Sequence, residues 1–174
     1  LLEFLNERFK NFMKEKGIRQ DIIESSISSY SINNILKIYK KASVLNKLIL
    51  KDVGKDIIFS YKRASSILKN ELKNENIEIL GSADPGLFKS EFEKNLYKKI
   101  SNMRKDFASV VKEEDYEGLL NTLASSKKEV IEFFDNVKVN DDEEILRKNR
   151  LELLQMLCKT FDNYFNFSRI ESVL

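Results

Sequence analysis

The feature that most restricts this chain is an apolar period of 3.6 residues that recurs in segment after segment. It is clearest where Phe92, Leu96, Ile100, Met103, Phe107 and Val110 follow at three- and four-residue steps. Such a stripe winds onto one face of an α-helix and would scatter over both faces of a strand. No segment sustains a period of two, and 5 Gly and 1 Pro in 174 residues leave few turn signals for a β-sandwich. The reading is therefore all-α: a helical bundle of about seven or eight helices without a sheet. One domain of this length buries a continuous core without disulfide or metal support.

Along the chain, Leu2, Leu5, Phe9 and Phe12 mark the apolar face of a first helix, which Gly17 stops. Asp21 and Glu24 have capping-box spacing ahead of Ile22, Ile23 and Ile27, and Ser31 can cap a third helix carrying Ile32, Ile35, Leu36, Tyr39, Ala42, Leu45 and Leu48. A fourth helix is expected from about Lys55 to Lys69, with Ile57, Ile58, Tyr61, Ala64 and Leu68 inward, followed by an internal loop over about 70–86. Asp84 before Pro85 reads as an N-cap opening the helix of the Phe92 stripe, which should be the longest or second longest. Asp115 can cap a helix bearing Leu119, Leu120 and Leu123, and Val130, Ile131, Phe134 and Val137 form another apolar face. The acidic run Asp141 to Glu144 suits the N-terminus of a last helix carrying Leu146, Leu153, Leu154, Leu157, Phe161 and Tyr164, expected to pack centrally.

Chemistry is restricted as sharply. With no His, zinc sites and His-based triads are excluded, and a single Cys158 can form neither an intramolecular disulfide nor a cysteine metal cluster. No nucleophile, phosphate-loop or metal-ligand spacing is present, so no catalytic residue and no metal ligand is assigned. Cys158 reads as a packed side chain and the acidic run as a helix cap. No targeting or spanning segment stands out, which gives a cytoplasmic protein with no membrane partner as the expectation. The chain opens at Leu1 within an apolar-periodic segment, which suggests a fragment of something longer.

Charge nearly cancels overall, at +2, yet it is uneven. Between Lys37 and Lys69 nine bases stand against Asp52 and Asp56, a local excess of +7. Such a surface attracts phosphates, and Tyr39 or Tyr61 could offer a stacking face to an unpaired base; the plainer account is that both tyrosines are core and the lysines solvate outer faces. In the last helix Arg150 falls among Leu146, Leu153, Leu154 and Leu157, while Arg147 lies at the border of the stripe. A charge at the Arg150 position needs a partner, and Asp135 is the first candidate for a structural ion pair, ahead of direct ligand contact.

Several stretches carry a resemblance. Phe133-Phe134-Asp135-Asn136-Val137, Val139-Asn140-Asp141-Asp142-Glu143, Leu146-Arg147-Lys148-Asn149-Arg150-Leu151 and Phe165-Asn166-Phe167-Ser168 resemble the end of the β subunit of bacterial glycyl-tRNA synthetases. Leu1-Leu2-Glu3-Phe4-Leu5, Gly17-Ile18-Arg19, Tyr61-Lys62-Arg63-Ala64 with Ile67-Leu68, and Asp84-Pro85 with Leu87-Phe88 agree in order, so the similarity covers nearly the whole chain. Departures are mostly surface Lys, Asn and Ile, and Gln20 stands after Arg19 where the family would have His.

The resemblance implies a DALR-type anticodon-binding domain, shared with arginyl-tRNA synthetases. Its Asp-Ala-Leu-Arg motif is degenerate here as Glu143-Glu144-Ile145-Leu146-Arg147, keeping Leu and Arg. It implies one domain over 1–174, the C-terminal fragment of a longer β subunit, with glycine activation on a separate α subunit in an α2β2 heterotetramer. ATP and Mg would be used by the holoenzyme and no cofactor bound by this fragment, which would itself be non-catalytic. The partner would be the anticodon loop of tRNA-Gly, not DNA. Glycine anticodons share two adjacent cytosines, each with an amino donor and two acceptors. The candidates to meet them are Lys55, Lys62, Arg63, Asn136, Lys138, Asn140 and Arg147. The competing reading is a helical docking module that holds synthetase subunits or domains together without reading bases.

Overall fold

The computed structural model describes residues 2–27, 34–74 and 78–171. Among them are eight α-helices: α1 (Leu2–Glu15), α2 (Gln20–Ile27), α3 (Ile35–Leu48), α4 (Asp52–Asn74), α5 (Glu91–Lys112), α6 (Tyr116–Ala124), α7 (Lys127–Asn136) and α8 (Glu144–Asp162), with 3-10 turns at Pro85–Leu87 and Phe167–Arg169. None of the described residues is in a strand. The expected bundle is what forms, and α5, at 22 residues, is second in length to α4, at 23.

α8 runs through the middle, against α4 and α5, with twelve of its 19 residues buried. Leu146, Leu153, Leu154, Leu157 and Phe161 are all inside, as their spacing requires. The chain then folds back so that Phe161, Phe165 and Phe167 cluster with Tyr61 of α4. The Tyr61 hydroxyl donates to Asp162 at 2.9 Å, and Asp162 also accepts from the Phe167 N–H at 3.0 Å, which satisfies the polar atoms of this aromatic core. Arg104 fastens α5 to α8 by donating to the Thr160 hydroxyl and the Met156 carbonyl.

Helix ends follow local chemistry, with corrections. Gly17, at φ +79°, closes α1 in a Schellman motif: Ile18 N–H donates to the Met13 carbonyl and Gly17 N–H to that of Lys14. α2 begins one residue before Asp21, so the expected box with Glu24 does not form. Asp21 instead takes a forked bond from Arg19, and Glu24 accepts from Gln20. Asn34 caps α3 by accepting from Lys37 N–H; Ser31 and Ile32 lie outside the described residues. α4 is longer than expected at both ends, starting at Asp52 and continuing to Asn74, well into the segment read as loop.

Asp84 caps only the turn Pro85–Leu87, because Ser90-Glu91-Phe92-Glu93 is a true capping box that starts α5 afresh. Asp115 caps α6 as expected, accepting from Gly118 N–H at 2.9 Å. The least covered element is α1: Phe4, Leu5 and Phe12 are 59%, 47% and 42% exposed, whereas Met13 is fully buried.

Candidate nucleic-acid interface

The outer face of α4 meets the end of α7 around one arginine. Arg63 projects away from the buried Tyr61, Ala64 and Leu68, and its guanidinium lies 4.8 Å from the ring centre of Phe134 and 5.9 Å from that of Phe59. Its Nη2 is 3.9 Å from the exposed Asp135 carboxylate. An arginine held between ring faces keeps its planar fork in a defined orientation while its outer edge stays in water. Asp135 thus belongs to Arg63 and not to Arg150, which corrects the expected pairing.

Arg150 has other partners. Its Nε donates to Glu93 at 2.9 Å, and its Nη1 to Asp141 at 2.5 Å and to the Lys138 carbonyl at 2.9 Å. Glu93 is buried at the start of α5, where its second oxygen accepts from the N–H groups of Lys89 and Ser90 and from the Ser90 hydroxyl. Burial pushes the Glu93 carboxyl up, but the Arg150 guanidinium and the two backbone donors outweigh it and hold the group below the usual carboxylate range. Asp141 is held down first by the Glu143 N–H and then by Arg150. One guanidinium therefore ties α8 to the N-terminus of α5 and fixes the 137–141 loop.

That loop carries the exposed candidates Lys138 and Asn140, just beyond Asn136 at the end of α7, beside the Arg63 group. Asn136 donates to the Glu132 carbonyl, leaving its side-chain oxygen outward, and Lys138 pairs with Asp142 at 3.3 Å. Arg63 reaches Phe134 and Asp135 of α7, Asn136, Lys138 and Asn140 follow these two in the chain, and half-buried Lys62 precedes Arg63 on α4. Lys55 is apart, about 12 Å up the α4 axis, paired with Asp52 at 3.6 Å. Arg147 is half-buried on α8.

The broad basic stripe is less uniform than its count suggests. Lys41 is buried, with its ammonium 4.5 Å from the ring centre of Phe165, and Lys37 and Lys40 both grip Glu114 at 3.1 Å. Tyr61 is sealed in the core and cannot stack a base, while Tyr39 is half-buried at the surface. Glu93 and Asp141 escaped the sequence reading as partners of Arg150. The Ser90–Glu93 spacing marks Glu93 as a helix-capping residue, and nothing in that spacing points to Arg150.

The arrangement is that of an all-helical module presenting amide, cationic and aromatic groups on one exposed edge. The chain belongs to the DALR anticodon binding domain family, whose model matches residues 57–173. It is 32% identical over 170 residues to the glycine–tRNA ligase beta subunit of Rickettsia prowazekii (strain Madrid E), covering 98% of this chain and 24% of that protein. The beta subunits of Rhodospirillum centenum (31% over 172 residues) and Ruegeria sp. (28% over 171 residues) are likewise similar over 98% of this chain and 24% and 25% of theirs. The chain thus spans about a quarter of the length of these relatives.

Proposed function

We propose that this chain is the anticodon-recognition module of a glycine–tRNA ligase β subunit, supporting ATP-dependent charging of tRNA-Gly in the cytoplasm. The observation that carries the reading is the match to the DALR anticodon binding domain over 57–173, together with beta-subunit relatives aligned over 98% of the chain. Glycine activation, with its ATP and Mg, belongs in this reading to an α subunit of an α2β2 ligase, and the present residues bind RNA only.

The exposed edge from Arg63 to Asn140 supports the assignment chemically. Splayed loop bases are recognised by stacking and by their Watson–Crick edges, and this edge supplies two half-exposed phenyl rings, a clamped guanidinium, amides and lysines. A titration of the chain with tRNA-Gly, beside a variant lacking both anticodon cytosines, tests it. Tighter binding to the cytosine loop with a negative salt slope is expected; equal or absent binding of both overturns it. Exposed Phe4 and Leu5 on α1, and Leu36 at 72% exposure on α3, favour a second role for the outer faces of these helices in docking.

A further inference from the structure

The end of α5 carries a residue its backbone does not suit. Beyond Lys112 the chain closes as α1 does, with Asp115 N–H donating to the Val110 carbonyl, but the left-handed position, held by Gly17 in α1, is occupied here by Glu114 at φ +56°. A side chain at such a position costs roughly a factor of ten in local equilibrium against glycine. Glu114 there lines a cleft of about 490 Å³ between the α1–α2 turn, α3 and the α5–α6 corner.

The cleft combines aromatic walls, cations and an acceptor. Tyr39 and Tyr116 line it; Tyr39 is braced by Phe12 at 5.6 Å between ring centres, and Lys16, Lys40 and Lys47 stand around them. Asn46 sets the wall by accepting from Arg19 N–H at 3.1 Å and donating to the Gly17 carbonyl at 3.2 Å, which ties the α1–α2 turn to α3. Glu114 Oε1 meets Lys37 and Oε2 meets Lys40, each at 3.1 Å. A carboxylate offers about four acceptor positions, so each oxygen retains capacity for an incoming donor. Bonds first from Lys37 and then from Lys40 hold the group below the usual carboxylate range, so it stays an acceptor.

Resting on the proposed anticodon reading, we propose that this cleft receives one unpaired cytosine of the anticodon loop, with Glu114 accepting from its amino group. The lysines face the cytosine acceptors and the flanking phosphates, and the half-buried Tyr39 ring offers the stacking surface, Tyr116 being buried. A phosphate alone would bring no donor to the Glu114 carboxylate and leave the ring face unused, and uracil would turn its O4 acceptor toward the carboxylate. The polar clefts near Arg19 and near Lys98 have no aromatic lining.

The test uses anticodon stem-loop RNAs carrying both cytosines or a uracil in place of either, titrated against the parent chain, Glu114→Gly and Glu114→Gln. The parent should prefer the cytosine loop on the order of tenfold at one of the two positions. Glu114→Gly, relieved of strain, should melt within a few degrees of the parent and lose that preference, with Glu114→Gln in between. A Glu114→Gly chain that discriminates as the parent does overturns the cleft assignment alone. A parent that binds no loop, or binds all loops equally, overturns the anticodon reading itself and this inference with it. If Glu114→Gly does not fold, undiminished discrimination by Glu114→Gln overturns the assignment.

Discussion

Removing the Arg150 side chain separates the support of the loop from the reading of RNA. Arg150 and Glu93 have side chains 8% and 1% exposed, so Arg150→Ala strands a carboxylate in the interior. Breaking a buried ion pair on one side costs about 3–5 kcal/mol. Glu93 keeps its three donors from Lys89 and Ser90, and Asp141, at 27% exposure, can be hydrated, which places the loss near the lower end, about 3 kcal/mol. For a chain of this size that lowers Tm by about 6–12 °C.

Thermal melts of Arg150→Ala, Glu93→Gln and the double variant would give a coupling energy, expected to be about 1.5 kcal/mol or more. The sign with pH follows from the depressed Glu93 and Asp141. Their contribution is fully present above the ordinary values of 4.5 and 3.8 and is lost as pH falls through their lower folded values. The gap between parent and Arg150→Ala should therefore be widest above pH 4.5 and close in acid. If Arg150→Ala melts like the parent and still loses tRNA, the structural role is refuted and Arg150 contacts RNA itself.

Arg63→Ala should do the reverse, costing about 0.5–1 kcal/mol from the lost ring contacts while weakening tRNA binding and flattening the salt slope by about one unit; melts beside titrations at two salt concentrations check it. Burial lowers the Lys41 ammonium to about 7, so Lys41→Met should raise stability on the order of 2 kcal/mol near neutrality. Because the folded value lies below the unfolded 10.5, the parent recovers as pH rises between the two, and the gain measured by denaturant melts should shrink there. Cys158 is buried, and burial, then Asp162, pushes its thiol up to about 12, so a thiol reagent should label it only as fast as the chain unfolds.

Periodicity made α8 legible in advance, down to Arg150 as the charge within the stripe, because a helix repeats its own geometry. The partner was not legible: Glu93 lies 57 positions away and meets Arg150 only once α5 packs on α8, whereas Asp135, the expected partner, lies beside Arg63. On α1 the pattern identified an apolar face but not what covers it, and Phe4, Leu5 and Phe12 remain open. Asp84-Pro85 was read correctly as a cap and wrongly as the start of α5, since the Ser90–Glu93 box competes a few residues later. The edge around Arg63 was visible as charge, and its clamping by Phe59 and Phe134 needed two helices brought together.

The segment before α5 is held in an unusual way. Leu80, Gly81 and Ser82 all direct their N–H groups to the Glu152 carboxylate, Asp84 exchanges two bonds with the Asn149 amide, and Lys159 donates to the Leu80 carbonyl. Gly81, at φ +75°, lets the backbone lie close to Gln155 and Lys159. The grip is thus written in the letters of α8 and reaches main-chain atoms that most residues possess. Outside Gly81 and buried Ala83, the strap can drift in sequence while keeping its path, and its amides should exchange with solvent in step with α8 and not with the loops.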